Sequence, residues 1–183
     1  TRAAHWETEK PRWDTEVVAT AVELAFDDRQ TGSTLNPLSR KALDWMWKLQ
    51  RDDGSWNWLK CDWPPAESDD YYGVCFAAIG VGNAPEGYAR TDAAQPGLAK
   101  IRNYLKTHAA PNAHHRLMLL WASLNVDGLL DARDRAAIVA EARALQRPDG
   151  GWSVRTLWGE RKRRDGTSED LVNSYIDHGN YIA

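Results

Sequence analysis

Three carboxylates crowd into one short stretch of the chain, at Glu67, Asp69 and Asp70, directly before an apolar run. Neighbouring carboxylates disfavour one another's ionisation, so one member of a cluster can keep its proton and serve as a general acid. Ser68 and Asp69 are also good N-cap residues, and acidic side chains in a first turn complement the helix dipole. The stretch therefore supports two interpretations, a general acid and a helix cap.

Aromatic side chains lie on both sides of this acidic stretch. Tyr71 and Tyr72 follow it, Trp63 precedes it, and the chain holds 10 Trp against 2 Phe. Because aromatic faces stabilise cations, both tyrosines and Trp56, Trp58 and Trp63 are candidates for substrate binding. Packing in the core is the alternative for each of these large side chains.

Other reactive residue types lack the spacing of a metal or nucleophilic site. His114 and His115 are adjacent, and neighbouring side chains on a helix point about 100° apart, so we interpret them as polar residues at a helix start. Cys61 and Cys75 form no CxxC pair. The chain contains no phosphate-binding glycine loop and no nucleophile elbow. We therefore predict neither a bound metal nor a cofactor.

Composition excludes two classes of partner. The chain has 23 basic and 26 acidic residues, a net charge of −3, which is not the charge balance of a nucleic-acid-binding protein. The basic cluster at 161–164 is interpreted as a solvated loop. No apolar run reaches membrane-spanning length, so we expect a soluble or peripheral protein, and the compartment stays open.

The elements that position these residues are predicted to be helices. Three runs are apolar nearly all round and alternate with three amphipathic runs, although a buried strand is the alternative for the run after Asp70. Because buried helices need cover on all sides and amphipathic ones can form an outer wall, the order favours three helical hairpins in a two-layer α/α array. The six predicted helices cover roughly residues 14–28, 37–49, 71–81, 92–107, 113–124 and 132–146. Gly73 and Gly80 are predicted to allow close helix approach, and Ile138 and Val139 are predicted to face inward.

An eight-residue repeat closes two of the amphipathic runs. Leu49–Trp56 returns as Leu145–Trp152, identical at six of eight positions and offset by 96 residues. Its Asp-Gly dipeptide predicts a tight turn. We expect Gln50 and Gln146 to cap the free backbone groups of the preceding helix and the tryptophans to cover the turn. The repeat is interpreted as structural.

These octapeptides resemble the QW motifs of the squalene-cyclase and terpenoid-cyclase family, whose α/α toroid is shared with protein prenyltransferase β subunits. The resemblance runs from about Asp14 to Trp152. It implies an all-α, α/α-toroid fold with inner and outer helix layers. Because the chain supplies three hairpins and begins a fourth, residues 1–183 are expected to form a single, incomplete toroid domain. A missing segment or another chain would complete it.

The acidic stretch resembles the DxDD motif of class II terpenoid cyclases, with Glu67 in place of the first Asp and Tyr71-Tyr72 in place of the family's Thr-Ala. In that family the middle Asp protonates a terminal alkene, a role that falls on Asp69, flanked by Glu67 and Asp70. The resemblance implies a squalene-hopene-type cyclase, an isomerase-type activity, acting on a hydrophobic isoprenoid ligand. Trp56, Trp63, Tyr71 and Tyr72 are the expected substrate-binding residues.

Two other functions remain open for such a toroid. The altered motif also suits a non-catalytic toroid used for binding or scaffolding. A polysaccharide-active α/α toroid, with paired carboxylates and exposed tryptophans, is the third hypothesis. The zinc site of the protein prenyltransferases is not expected, because Cys75 lies five residues beyond Asp70 and not two, although residues 177–181 resemble the histidine stretch of that site.

Overall fold

The computed structural model describes residues 13–32, 34–60, 69–159 and 180–181, and this part of the chain is all-α apart from one two-residue strand pair. A short 3-10 turn occupies Tyr88–Arg90, and β1 (Trp152–Ser153) pairs antiparallel with β2 (Asn180–Tyr181). The all-α prediction is therefore confirmed for these residues. The helices are α1 (Asp14–Thr31), α2 (Pro37–Leu49), α3 (Asp70–Asn83), α4 (Gln95–Thr107), α5 (Ala113–Ala122), α6 (Ala132–Ala144) and α7 (Val154–Trp158).

The helix starts follow from local residue types. Asn36 caps α2 by accepting the backbone N–H of Leu38, and Pro37 occupies the first turn, where its missing N–H costs nothing. The apolar run after Asp70 forms a helix, α3, and not the alternative strand. Helix α4 begins at Gln95, three residues later than predicted, with a proline in its first turn.

The helices pack in the alternating order that the sequence predicts. The apolar helices lie side by side, with α3 between α1 and α5. Each amphipathic helix then packs on the apolar helix that precedes it, so that α2 lies on α1, α4 on α3 and α6 on α5. In this part of the chain, no helix is both long enough and apolar enough to cross a bilayer.

Two glycines of α3 allow close packing against different partners. A Cβ atom at Gly80 would lie 2.6 Å from Cγ2 and 2.9 Å from Cα of Val22, so this glycine lets α3 approach α1. A Cβ atom at Gly73 would instead overlap the indole ring of Trp58. The prediction of close helix approach is therefore correct at Gly80, whereas Gly73 makes room for a side chain.

The two octapeptides fold into the same turn. In the first, the Trp56 indole N–H donates to the carbonyl of Met46 at 2.8 Å; in the second, the Trp152 indole N–H donates to the carbonyl of Ala142 at 2.7 Å. Both acceptors belong to the last turn of the preceding helix. The glutamines cap these helix ends only through their backbone, since the N–H groups of Gln50 and Gln146 donate to Trp47 and Arg143. The side-chain donor at each helix end comes from the tryptophan.

The glutamines bind the turns, and here the copies differ. Gln50 Nε2 donates to the carbonyl of Gly54 and to that of Gly97 in α4, both at 3.1 Å, whereas Gln146 donates to its own turn at Gly150. A Cβ atom at Gly54 would overlap the backbone carbonyl of Lys100, while one at Gly150 would have no described atom within 4 Å. The first turn is therefore packed on α4, and the second is open on that side.

Helix α6 is less covered than predicted. Ile138 is buried, but Val139, expected to point inward, is 37% exposed. In the described part of the chain, α6 packs mainly against α5. Helix α5 therefore covers only a narrow side of α6. The prediction for Val139 was wrong because helical periodicity does not give the width of the buried face.

Substituting the two turn glycines separates turn strain from packing on α4. Both have positive φ, 96° at Gly54 and 87° at Gly150, so alanine costs about 1 kcal/mol of backbone strain at either position. Gly54→Ala also forces the turn away from Lys100. We expect it to lower the free energy of unfolding by about 2 kcal/mol more than Gly150→Ala, as measured by urea denaturation. Equal losses would contradict the tight packing of the first turn.

Candidate functional site

Asp69 is the N-cap of α3. Its Oδ1 accepts the backbone N–H of Tyr72 at 2.9 Å, and its side chain is 31% exposed. The helix-cap interpretation of the acidic stretch is confirmed at this residue. Capping occupies one lone pair of one oxygen, so the carboxyl group keeps capacity for other partners.

A second partner of Asp69 comes from the neighbouring apolar helix. The His115 Nε2 atom lies 2.9 Å from Asp69 Oδ2 and 3.1 Å from Oδ1, and the His115 side chain is fully buried. The two residues are 46 positions apart, so sequence spacing could not pair them. The predicted order of the helices offered one signal, since it makes α3 and α5 neighbours.

Asn112 holds the other side of the His115 ring. Asn112 is the N-cap of α5, and its Oδ1 accepts the backbone N–H of His115 at 3.0 Å. The same oxygen lies 2.8 Å from Nδ1 of the His115 ring. A continuous series of hydrogen bonds therefore joins the first turns of α3 and α5.

Asp70, the flanking carboxylate, holds the loop that follows the first octapeptide. Its oxygens lie 3.0 Å from Lys60 Nζ and 3.7 Å from an Arg51 guanidinium nitrogen, and accept the backbone N–H of Trp58 at 3.3 Å. Both cations are partly exposed, so these pairs contribute little to stability. Their effect is to place the loop, and with it Trp58, across the start of α3.

Aromatic rings continue from Asp69 along one face of α3. Spacings of three and four residues put Asp69, Tyr72 and Phe76 on the same side of the helix. Tyr72 stacks on Phe76 with centroids 5.9 Å apart and lies parallel to His114 at 6.0 Å. Both rings of α3 are half-buried. Trp158 of α7 closes this group, 4.9 Å from the His115 ring.

Two of the remaining candidate residues lie away from this aromatic face. Tyr71 is buried against Tyr104 and the edge of His115, and burial raises the pKa of its phenol. Trp56 is 1% exposed and belongs to the octapeptide turn, so we leave it out of the site. Glu67 and Trp63 lie outside the described residues.

His114 is a buried, uncharged neighbour of the pair. Burial and, next, the adjacent His115 lower its pKa to about 4, while Asp69 partly opposes this shift. His114 is therefore neutral above about pH 5 and presents a flat, uncharged ring to Tyr72.

Nothing in the described residues resembles a metal centre, since no three His, Cys, Asp or Glu side chains are grouped to hold an ion. Cys75 is a free thiol, and burial raises its pKa well above the ordinary value. The Asp69 carboxyl group, which contacts a buried imidazole and lies beside aromatic rings, is able to hold a proton at this position.

Comparison of the chain with protein-family models, with curated proteins and with solved structures gives no match.

The lowered pKa of His114 predicts acid sensitivity. The unfolded chain takes up a proton below about pH 6.5, whereas the folded protein does so only near pH 4. Stability should therefore be complete above pH 6.5 and fall by about 2 to 3 kcal/mol as the pH drops to 4. His114→Phe keeps a ring against Tyr72 and should remove this loss of stability at low pH. Urea denaturation at several pH values measures it. The same change at the exposed His108 is the control. A wild-type pH dependence in the His114 variant would contradict the assignment.

Proposed function

We propose that this chain is a terpenoid-cyclase-like domain that begins cyclisation by protonating an alkene, with Asp69 as the general acid. The observation that supports it is the contact of Asp69 with the buried His115 at 2.9 Å, at the start of a helix face bearing aromatic rings. The α/α toroid, built from further hairpins of the same kind, belongs to this proposal. The two-layer order of the described helices is consistent with it.

An acid strong enough to protonate an alkene needs a well-stabilised conjugate base. The backbone N–H of Tyr72 supplies a donor for this purpose, and the buried His115 ring lies 2.9 Å from the other carboxyl oxygen. Hydrogen bonds that are already in place when the charge develops stabilise the carboxylate without reorganisation. The position at the N-terminus of α3 adds the favourable end of the helix dipole.

The proposed reaction balances without a cofactor. The Asp69 proton forms a bond to one alkene carbon, and the other carbon becomes the cation that further alkenes of the chain attack. The last cation loses a proton to a base, so the net change is an isomerisation. Tyr72, Phe76 and Trp158 supply aromatic faces of the kind that stabilise carbocations. Tyr72 stacks on Phe76 and on His114, and the Trp158 ring lies tilted against His114.

An apolar polyprene suits this aromatic face better than a sugar. The rings nearest to Asp69 are buried or half-buried, and Trp58 is only 4% exposed. Sugars bind to exposed ring faces combined with many polar side chains. Among the described tryptophans, Trp13 and Trp121 are the exposed ones, and the Trp121 ring lies against Phe26 of α1, 6.0 Å between centroids.

The role of Asp69 can be separated from its role as a cap. Asn is as good an N-cap as Asp, so Asp69→Asn keeps the bond to Tyr72 but removes the transferable proton. We expect at least about a hundredfold loss of cyclised product from squalene or shorter linear polyprenes, measured by mass-resolved chromatography on the protein in its full natural length.

Asp131→Asn is the matched control, because Asp131 caps α6 in the same way through the N–H of Asp134. It should leave turnover unchanged. Full turnover in the Asp69 variant would rule out the acid role. If the wild type shows no turnover on these substrates and the Asp69 variant differs from it only in stability, the result would instead support the non-catalytic toroid.

A further inference from the structure

The amide of Asn112 determines which nitrogen of His115 carries hydrogen. Asn112 Oδ1 accepts the backbone N–H of His115 at 3.0 Å, so oxygen and not nitrogen faces the helix. The same oxygen is 2.8 Å from the ring Nδ1. Two lone pairs at this distance repel, so Nδ1 must carry a hydrogen and donate it to Asn112.

The proton on Nδ1 has a consequence on the other side of the ring. A neutral imidazole has one N–H, so Nε2 then points a lone pair at Asp69 Oδ2, 2.9 Å away. An ionised carboxylate also offers only lone pairs. The contact therefore requires one more proton between the two residues. Either Asp69 is a carboxylic acid facing a neutral ring, or His115 is an imidazolium facing a carboxylate. The two forms hold the same number of protons.

We propose that Asn112 is a positioning residue that keeps this acid loaded, by fixing the tautomer of His115 so that the Asp69–His115 pair retains one transferable proton. The proposal rests on the function assigned above and adds the residue that sustains it. After Asp69 transfers its proton, the pair carries one negative charge and has two lone pairs in contact, and uptake of the proton released at the end of cyclisation relieves this repulsion. Asn112 thus acts through His115 and touches no substrate.

The His115 side of the pair is shielded from water, and its titratable neighbours do not change charge near neutral pH. His115 is fully buried. Among the described residues, burial raises the pKa of Tyr71, of Cys75 and of Tyr104, the last to about 12. His114 is neutral above about pH 5, and the bond to Glu141 raises the pKa of Arg116. Asp70 bonds to Lys60. Tyr71, Cys75, Tyr104, His114 and Arg116 therefore keep constant charge through the neutral range.

The alternative arrangement makes the opposite prediction. If the Asn112 amide were rotated, its NH₂ group would donate to a bare Nδ1, and Nε2–H would donate to an ionised Asp69. No extra proton would be held. That arrangement directs the NH₂ group against the backbone N–H of His115, two donors in contact, which is why the structure favours the first form.

The experiment is nitrogen NMR of the ¹⁵N-histidine-labelled protein, with turnover measured in parallel. His115→Phe identifies the His115 signals by their loss. In the wild type we expect a protonated Nδ1 throughout pH 6–8. Asn112→Ser keeps an N-cap but cannot reach the ring, and we expect it to admit the tautomer with bare Nδ1. We also expect kcat to fall about tenfold or more with KM little changed, and the alkaline limb of kcat to move about one pH unit lower.

Two further variants separate positioning from capping. Asn112→Asp keeps an acceptor for both N–H groups, so it should keep the Nδ1 proton and place the alkaline limb at or above its wild-type pH. Asn36→Ser makes the same cap change on α2, away from the site, and should alter neither the His115 spectrum nor the pH profile.

The outcomes distinguish this proposal from the function on which it rests. A neutral His115 with bare Nδ1 in the wild type overturns the role of Asn112, even if Asp69→Asn abolishes turnover. An unchanged spectrum and pH profile in Asn112→Ser overturn it as well. If the wild type makes no product, the cyclase function fails, and the tautomer measurement still decides whether Asn112 holds the proton.

Discussion

The hydrogen bond between Asp69 and His115 ties together the first turns of two apolar helices from different hairpins. Each partner is also committed locally, because Asp69 caps α3 and the ring of His115 is held by Asn112, the cap of α5. A fully buried ring with both nitrogens bonded has little freedom to move without leaving a polar atom unsatisfied, which is costly. This polar contact, together with packing, therefore fixes how the two helix starts lie against each other.

The octapeptide repeat supports the same region from the other side. The first copy turns the chain back from α2, and the loop that leaves it bonds to α1 through Asp14 and Thr15 and to α3 through Asp70. Trp58, carried by this loop, occupies the space that Gly73 leaves free and lies beside Tyr72. The octapeptide is structural in both copies, and the first copy also positions Trp58 among the aromatic rings near Asp69.

The cap and acid interpretations of the acidic stretch are compatible. A carboxyl group has two oxygens, and at Asp69 one hydrogen bond to Tyr72 serves the helix while the contacts with His115 are available for the proposed proton transfer. The donors that make a carboxylate a good cap also stabilise it after its proton has left. The proposed function rests on the resemblance of motifs and on this geometry.

The sequence by itself determined the features that depend on neighbours along the chain. Helical periodicity, the caps at Asn36 and Asp69 and the repeated turn are set by residues a few positions apart, and the described structure contains them. Only the tertiary structure decided that His115 meets Asp69, that Gln50 reaches Gly97, and that Val139 stays exposed. The partners of Asp69 and Gln50 belong to helices distant in sequence, and Val139 is exposed because no distant helix covers that side of α6 among the described residues. Local propensity specifies an element, whereas packing between elements selects its contacts.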